Sequence, residues 1–213
     1  MKNNVLMLAL TLFSSSLMAQ QWAFDVYLDK SKIGKHTFTY TNNLLTSRAK
    51  FNVKVLFINA YQYDHTSKER WQDDCLEGIE VNTKEDKVTT KVIGKKTSVG
   101  FEVSADFEAS KGKSNQTLPA CTMTFAYWNP KILSQSKLLN PQNAEYLDTH
   151  FEKLANESIM VKGKPTDTTH YKLTGSLEGK AKLNIELWYN QNNEWVALKS
   201  TTPDGYNIFY KLI

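Results

Sequence analysis

The chain has 213 residues, 26 Lys and Arg against 22 Asp and Glu for a formal net charge of +4, and only two cysteines. That length can bury a sizeable apolar core without metal staples. Its lysines (Lys54, Lys95, Lys96, Lys111, Lys113, Lys182) are scattered and not gathered into an aromatic-interleaved stripe, which excludes the concentrated basic footprint of a nucleic-acid binder.

Residues 1–19 read as a secretory signal peptide. Lys2 supplies the positive start, Val5 to Phe13 form an apolar run too short to span a bilayer, and Ala19 is a small residue at the cleavage point. An uncleaved anchor is the alternative reading. Gln20 follows the cut where a lipoprotein would carry Cys. The expectation is a 19-residue signal followed by a single β domain over 20–213, periplasmic or secreted, with no transmembrane segment after cleavage.

From Trp22 onward the pattern has period two. Trp22, Phe24, Val26 and Leu28 share one face; Gly34, His36, Phe38 and Tyr40 share the next, and Phe51, Val53, Val55 and Phe57 follow. Tyr61, Tyr63, His65, Ser67, Glu69 and Trp71 alternate with Gln62, Asp64, Thr66, Lys68, Arg70 and Gln72, a half-buried strand with one water face. Further strands are predicted near 76–83, 87–94, 98–108, 157–162, 167–177, 181–190, 194–201 and 206–212. Near-sequential strands with short turns predict an all-β antiparallel meander, curled into a strongly bent sheet or an up-and-down barrel.

Cys75 and Cys121, an isolated pair in an exported chain, are read as a disulfide in preference to two free thiols; the spacing is wrong for a C-x-x-C redox or metal pair. Between Leu118 and Asn143 three prolines break the strand pattern. Asn129 and Pro130 predict the start of a short helix running to about Lys137, stopped before Asn140-Pro141. This insert is either a lid over a cavity or a plug completing the core.

Phe24 to Asp29 with Ile33-Gly34, Val53 to Tyr63 with His65, Trp71, Cys75-Leu76, Phe125 to Pro130, Leu138 to Gln142 and Leu187 to Tyr189 together resemble a secreted bacterial family of domains of unknown function, number 6134 in that series. The resemblance runs from about Trp22 to Leu212. It implies a bacterial periplasmic β protein and brings no activity and no functional residues with it.

Chemical motifs are sparse. His65 and Glu69, four apart on one strand, are separated by about 13 Å, so any partner of His65 must come from another strand. Ser134 to Lys137 spells S-x-x-K without the companion elements that motif requires. The histidines His36, His65, His150 and His170 are dispersed, no Gly-rich phosphate loop or G-x-S-x-G occurs, and neither a metal nor a cofactor is expected. The aromatic content is the remaining lead. Tyr61, Tyr63, His65, Trp71, Tyr127 and Trp128 are the candidate binding residues for a small amphipathic or lipid-like molecule on a concave sheet face. The competing readings are a hydrolase or isomerase using His65 with a cross-strand partner, and a structural envelope protein without a ligand.

Overall fold

The computed structural model describes residues 19–55, 58–202 and 205–213; the expected signal segment lies almost wholly outside them, as do Leu56 and Phe57. The described residues form a 15-stranded antiparallel sheet. In chain order its strands are β1 (Gln20–Leu28), β2 (Ser31–Thr41), β3 (Leu44–Val55), β4 (Ile58–Gln72), β5 (Cys75–Glu85), β6 (Val88–Lys96), β7 (Phe101–Phe107) and β8 (Gly112–Leu118). After an irregular segment come β9 (Lys137–Leu139), β10 (Tyr146–Lys153), β11 (Glu157–Val161), β12 (Lys164–Leu177), β13 (Lys180–Asn190), β14 (Trp195–Thr201) and β15 (Asn207–Leu212).

Turn chemistry explains the meander. Asn42 and Asn43 both have positive φ between β2 and β3, and Lys162-Gly163 and Glu178-Gly179 do the same in the hairpins of β12. Such turns twist in the same sense as the strands they join. Apart from β9 and β11, each strand therefore returns beside its predecessor, and β15 comes back to pair with β1, Val26 opposite Tyr210.

The sheet order starts at β8, descends to β1, crosses to β15 and descends again to β9, with β11 attached to β12. It is curled like a barrel but not closed. The two ends of that path, β8 and β9, are consecutive in the chain, and the connection between them is the proline-rich insert.

The insert is a plug in its packing. Thr122, Met123, Thr124, Ala126 and Ile132 are buried. Its backbone is tied to both sides: Leu76 N–H donates to Thr122 O at 2.9 Å, and Leu139 N–H to Met123 O at 2.9 Å. The Tyr189 hydroxyl of β13 donates to Tyr127 O at 2.8 Å. Gln116 on β8 donates to Ala144 O across the open seam. The helix expected over 130–137 is instead a 3₁₀ turn of five residues, Pro130–Ser134. Asn129 caps it as expected, accepting from Lys131 N–H at 3.0 Å. It stops early because Gln135 is extended and Leu138 and Leu139 gain more by pairing with β10, where both are fully buried.

Besides the three-residue β9, three strands escaped the period-two reading in whole or in part. The first half of β3 alternates through Leu45, Ser47 and Ala49, whose small members carry little hydrophobic signal. β8 is a polar edge strand, and β10 was masked by the irregular stretch before it. No helix among the described residues is long and apolar enough to cross a membrane.

Cys75 opens β5 and Cys121 opens the plug, and they form a disulfide with Cα atoms 4.7 Å apart. Beside it, Asn129 Nδ2 donates to Asp74 Oδ1 at 3.0 Å. The bond closes 46 residues, so replacing both cysteines by serine should lower the unfolding free energy by on the order of 4 kcal/mol. A denaturant midpoint that does not move between oxidised wild type and the double variant would contradict a structural role for the bond.

Candidate functional site

The alternation on β4 holds residue by residue: Tyr63, His65, Ser67, Glu69 and Trp71 are all buried while Gln62, Thr66, Lys68 and Arg70 face water. Cross-strand register carries that inner face sideways. His36, Ala49, His65 and Thr83 form one row across β2 to β5; Phe38, Ser47, Ser67 and Val81 form the next. The opposite wall comes from β13 to β15 through Ile185, Leu198, Ser200, Ile208 and Tyr210.

Between these walls lies a cavity of about 760 Å³. Two buried clusters flank it. One gathers Trp71, Leu76, Phe101, Leu138 and their neighbours around the plug. The other gathers Phe24, Leu187, Tyr189 and Trp195, with Phe24 and Trp195 rings 4.2 Å apart. One end of the cavity is floored by Thr124, Phe125 and Trp128 of the plug and by Glu69. The other opens beside Tyr61 and Tyr206, the latter 54% exposed.

Of the six candidate binding residues, Tyr61, Tyr63, His65, Tyr127 and Trp128 line this one cavity. Trp71 does not. It sits one register step deeper, 2% exposed and edge-on to Trp128 at 5.6 Å, as part of the packed cluster. Trp128 is half-buried against Trp22 and Tyr40, and its indole N–H has no hydrogen-bond partner among the described residues.

The polar groups of the inner wall form three small networks. His36 contacts the Tyr210 hydroxyl through Nδ1 at 3.3 Å and Ser47 Oγ through Nε2 at 3.2 Å. His65 Nδ1 meets Thr83 Oγ1 at 2.8 Å, the cross-strand partner that the four-residue spacing to Glu69 ruled out on its own strand. Glu69, 4% exposed, accepts from Ser67 Oγ at 3.1 Å and from Thr124 Oγ1 of the plug at 3.0 Å. Near the mouth, Tyr61 donates to Glu85 at 2.7 Å, and Gln142 donates to the Tyr63 hydroxyl at 2.7 Å.

Burial sets the charge states. Desolvation lowers His65 to about 4 and lowers His36 well below the usual imidazole range, with His65 adding a smaller push, so both rings are neutral near pH 7. Desolvation raises Glu69 to about 7, against the opposing hydrogen bonds of Thr124 and Ser67 and the nearby Trp71 indole. The Tyr127 and Tyr210 phenols are likewise pushed up by burial.

Ser47 and His36 are in the contact that nucleophilic catalysis uses. However, Ser47 sits in a strand paired on both sides, opposite Phe38 and Ser67. That position commits the neighbouring strand amides to sheet hydrogen bonds. Among the described residues no group of three or more His, Cys, Asp or Glu is arranged to hold a metal ion.

Residues 24–213 match the family described as Domain of unknown function (DUF6134). The chain belongs to that family. No curated protein matches it. Among solved structures it is similar to a β-barrel-like protein of Domain of Unknown Function DUF1849 from Brucella abortus, at 11% identity and a TM-score of 0.63 over 92% of this chain and 96% of that one. At that identity the likeness concerns the fold: DUF6134 and the Brucella protein share a barrel-like sheet.

His36, Ser47, Glu69, Thr124 and Tyr210 were not among the sequence candidates for binding. His36 and Glu69 lay on recognised inner faces, so a rule of listing every inward polar residue would have found them. Tyr210 needed the β1–β15 pairing, which joins residues at opposite ends of the chain.

The buried ionisable groups give a pH signature. Glu69 is raised from 4.5 to about 7, so the folded state holds its proton more tightly. That contribution is full below 4.5 and is lost as pH rises to about 7. His65 is lowered from 6.5 to about 4, so its contribution is present above 6.5 and lost as pH falls toward 4; His36 has the same sign. From these groups alone, stability should peak near pH 6.5. The stability of Glu69→Gln relative to wild type should rise by about 3 kcal/mol between pH 4.5 and 7. Urea midpoints of both proteins across that range check this, and a difference independent of pH would refute the assignment to Glu69.

Proposed function

We propose that this DUF6134 protein is exported to the periplasm and holds a small amphipathic, lipid-like molecule in its central cavity. The observation that carries the reading is the cavity itself. Protein interiors pack to crystal-like density, so open space of this size inside a curled sheet is not the default outcome. Its 760 Å³ falls within the range of small-molecule sites, which run about 300–1,000 Å³ with mostly apolar walls and a few placed polar groups. Phe38, Phe51, Leu183, Ile185 and Leu198 supply such walls, and the His36, His65 and Glu69 networks supply the polar points.

The shape argues for a chain-like occupant. Tyr61 near the mouth and Glu69 at the floor are eight residues apart on β4, a span of up to about 27 Å. A volume of 760 Å³ over that length averages about 28 Å² in section, a slot for one extended chain. The hydrolase or isomerase reading rests on the His36–Ser47 and His65–Thr83 contacts alone, and a purely structural reading gives the cavity no use.

Ser200 lies on the cavity wall and is only half-buried. Ser200→Trp should fill the slot and reduce binding of long-chain amphiphiles at least tenfold, while thermal stability changes little. Native mass spectrometry of protein purified from its own periplasm, with and without that substitution, checks this; equal ligand occupancy in both would remove the reading. Amino-terminal sequencing of the same material should begin at Gln20, and a product retaining Met1 would refute export through a cleaved signal.

A further inference from the structure

The cavity's charge pattern narrows the chemistry of its occupant. This deepens the binding reading above and rests on it. Among the described residues, no lysine or arginine lines the cavity. Its ionisable lining consists of two carboxyl groups, Glu69 at the floor and Glu85 at the mouth, the two histidines and five tyrosines. A fatty-acid carboxylate or a lipid phosphate placed inside would be a buried anion with no cation to meet it, a costly arrangement.

Glu69 has the opposite need. It is almost fully buried, and among the described residues it is paired with two hydroxyl donors and no cation. An ionised carboxylate has about four acceptor positions, so roughly half remain for a ligand. The neighbouring floor is aromatic, with Phe125, Tyr127 and Trp128 in the plug and Phe38 on β2. Ring faces of this kind attract cations and do not compete as donors. On the side wall, His65 uses Nδ1 toward Thr83, and among the described residues none hydrogen-bonds its Nε2.

We propose that the cavity selects amphiphiles with a cationic amine head and rejects anionic ones, the ammonium group meeting Glu69 at the floor while the chain runs toward Tyr61 and Tyr206.

Decylamine, decanol and decanoate share one chain and differ in head group, and each can be titrated against the full mature protein at pH 7.5. Wild type should bind decylamine at least tenfold more tightly than decanoate, with decanol between them. Glu69→Gln should bring amine and carboxylate within about threefold of each other. Glu85→Gln, at the mouth, should leave the wild-type ratio in place. Equal binding of the three probes, or a preference for decanoate, overturns the head-group assignment while leaving the cavity a binding site. An undiminished ratio in Glu69→Gln, or one abolished by Glu85→Gln, also overturns it, by placing the selectivity elsewhere. If wild type binds no probe better than Ser200→Trp does, the binding reading itself fails, and this inference with it.

Discussion

The structure depends on how a long antiparallel meander hides its inner face when its edges do not meet. β8 and β9 are left unpaired to each other, and the segment joining them is spent on closing the gap. Because that segment is tethered at both edges, it can pass through the interior with little freedom to lose. The disulfide at Cys121 fixes its entry and the Leu139 pairing fixes its exit. Free edges invite association with other chains. Here the end strand β8 is polar, the end strand β9 has only three residues, and the side strand β11 has only five.

The plug also decides where the cavity can be. It packs against the cluster around Trp71 and Phe101, and it reaches the cluster around Trp195 through Tyr127, whose ring lies 5.3 Å away. It thus fills one end of the curl and leaves the other open. The lid and core readings of this insert are therefore two sides of one element: Ile132 and Met123 complete a core, while Phe125 and Trp128 floor a cavity.

Much of the architecture was legible because its signal is local. Period-two alternation identified the inner face of β4 from Tyr63 to Trp71, and the isolated cysteines gave the disulfide. The signals that failed were those with weak or long-range causes. Leu45, Ser47 and Ala49 alternate, but serine and alanine write the pattern faintly. The 3₁₀ turn began where Asn129 and Pro130 indicated, yet its end was set by the pairing of Leu138 and Leu139 with β10, a tertiary event. Trp71 and Trp128 look equivalent in sequence. Only the register and the plug separate the packed ring from the cavity-lining one.

The small residues that blurred the strand pattern also make the site. On β3 and β4, Ser47, Ala49 and Ser67 occupy inner positions where a packed barrel would carry leucine or phenylalanine. Each omits volume, and two of them supply hydroxyls that meet His36 and Glu69. A single substitution type thereby opens space and satisfies polar groups that would otherwise be stranded in it. The large aromatics then act as walls, with Phe51 and Tyr63 stacked 5.1 Å apart on adjacent strands and Phe24 against Trp195 holding the far side. The carboxyl of Glu69 remains only partly compensated at the bottom of that space. Among the described lining groups it is the one whose charge burial most favours sharing with whatever enters.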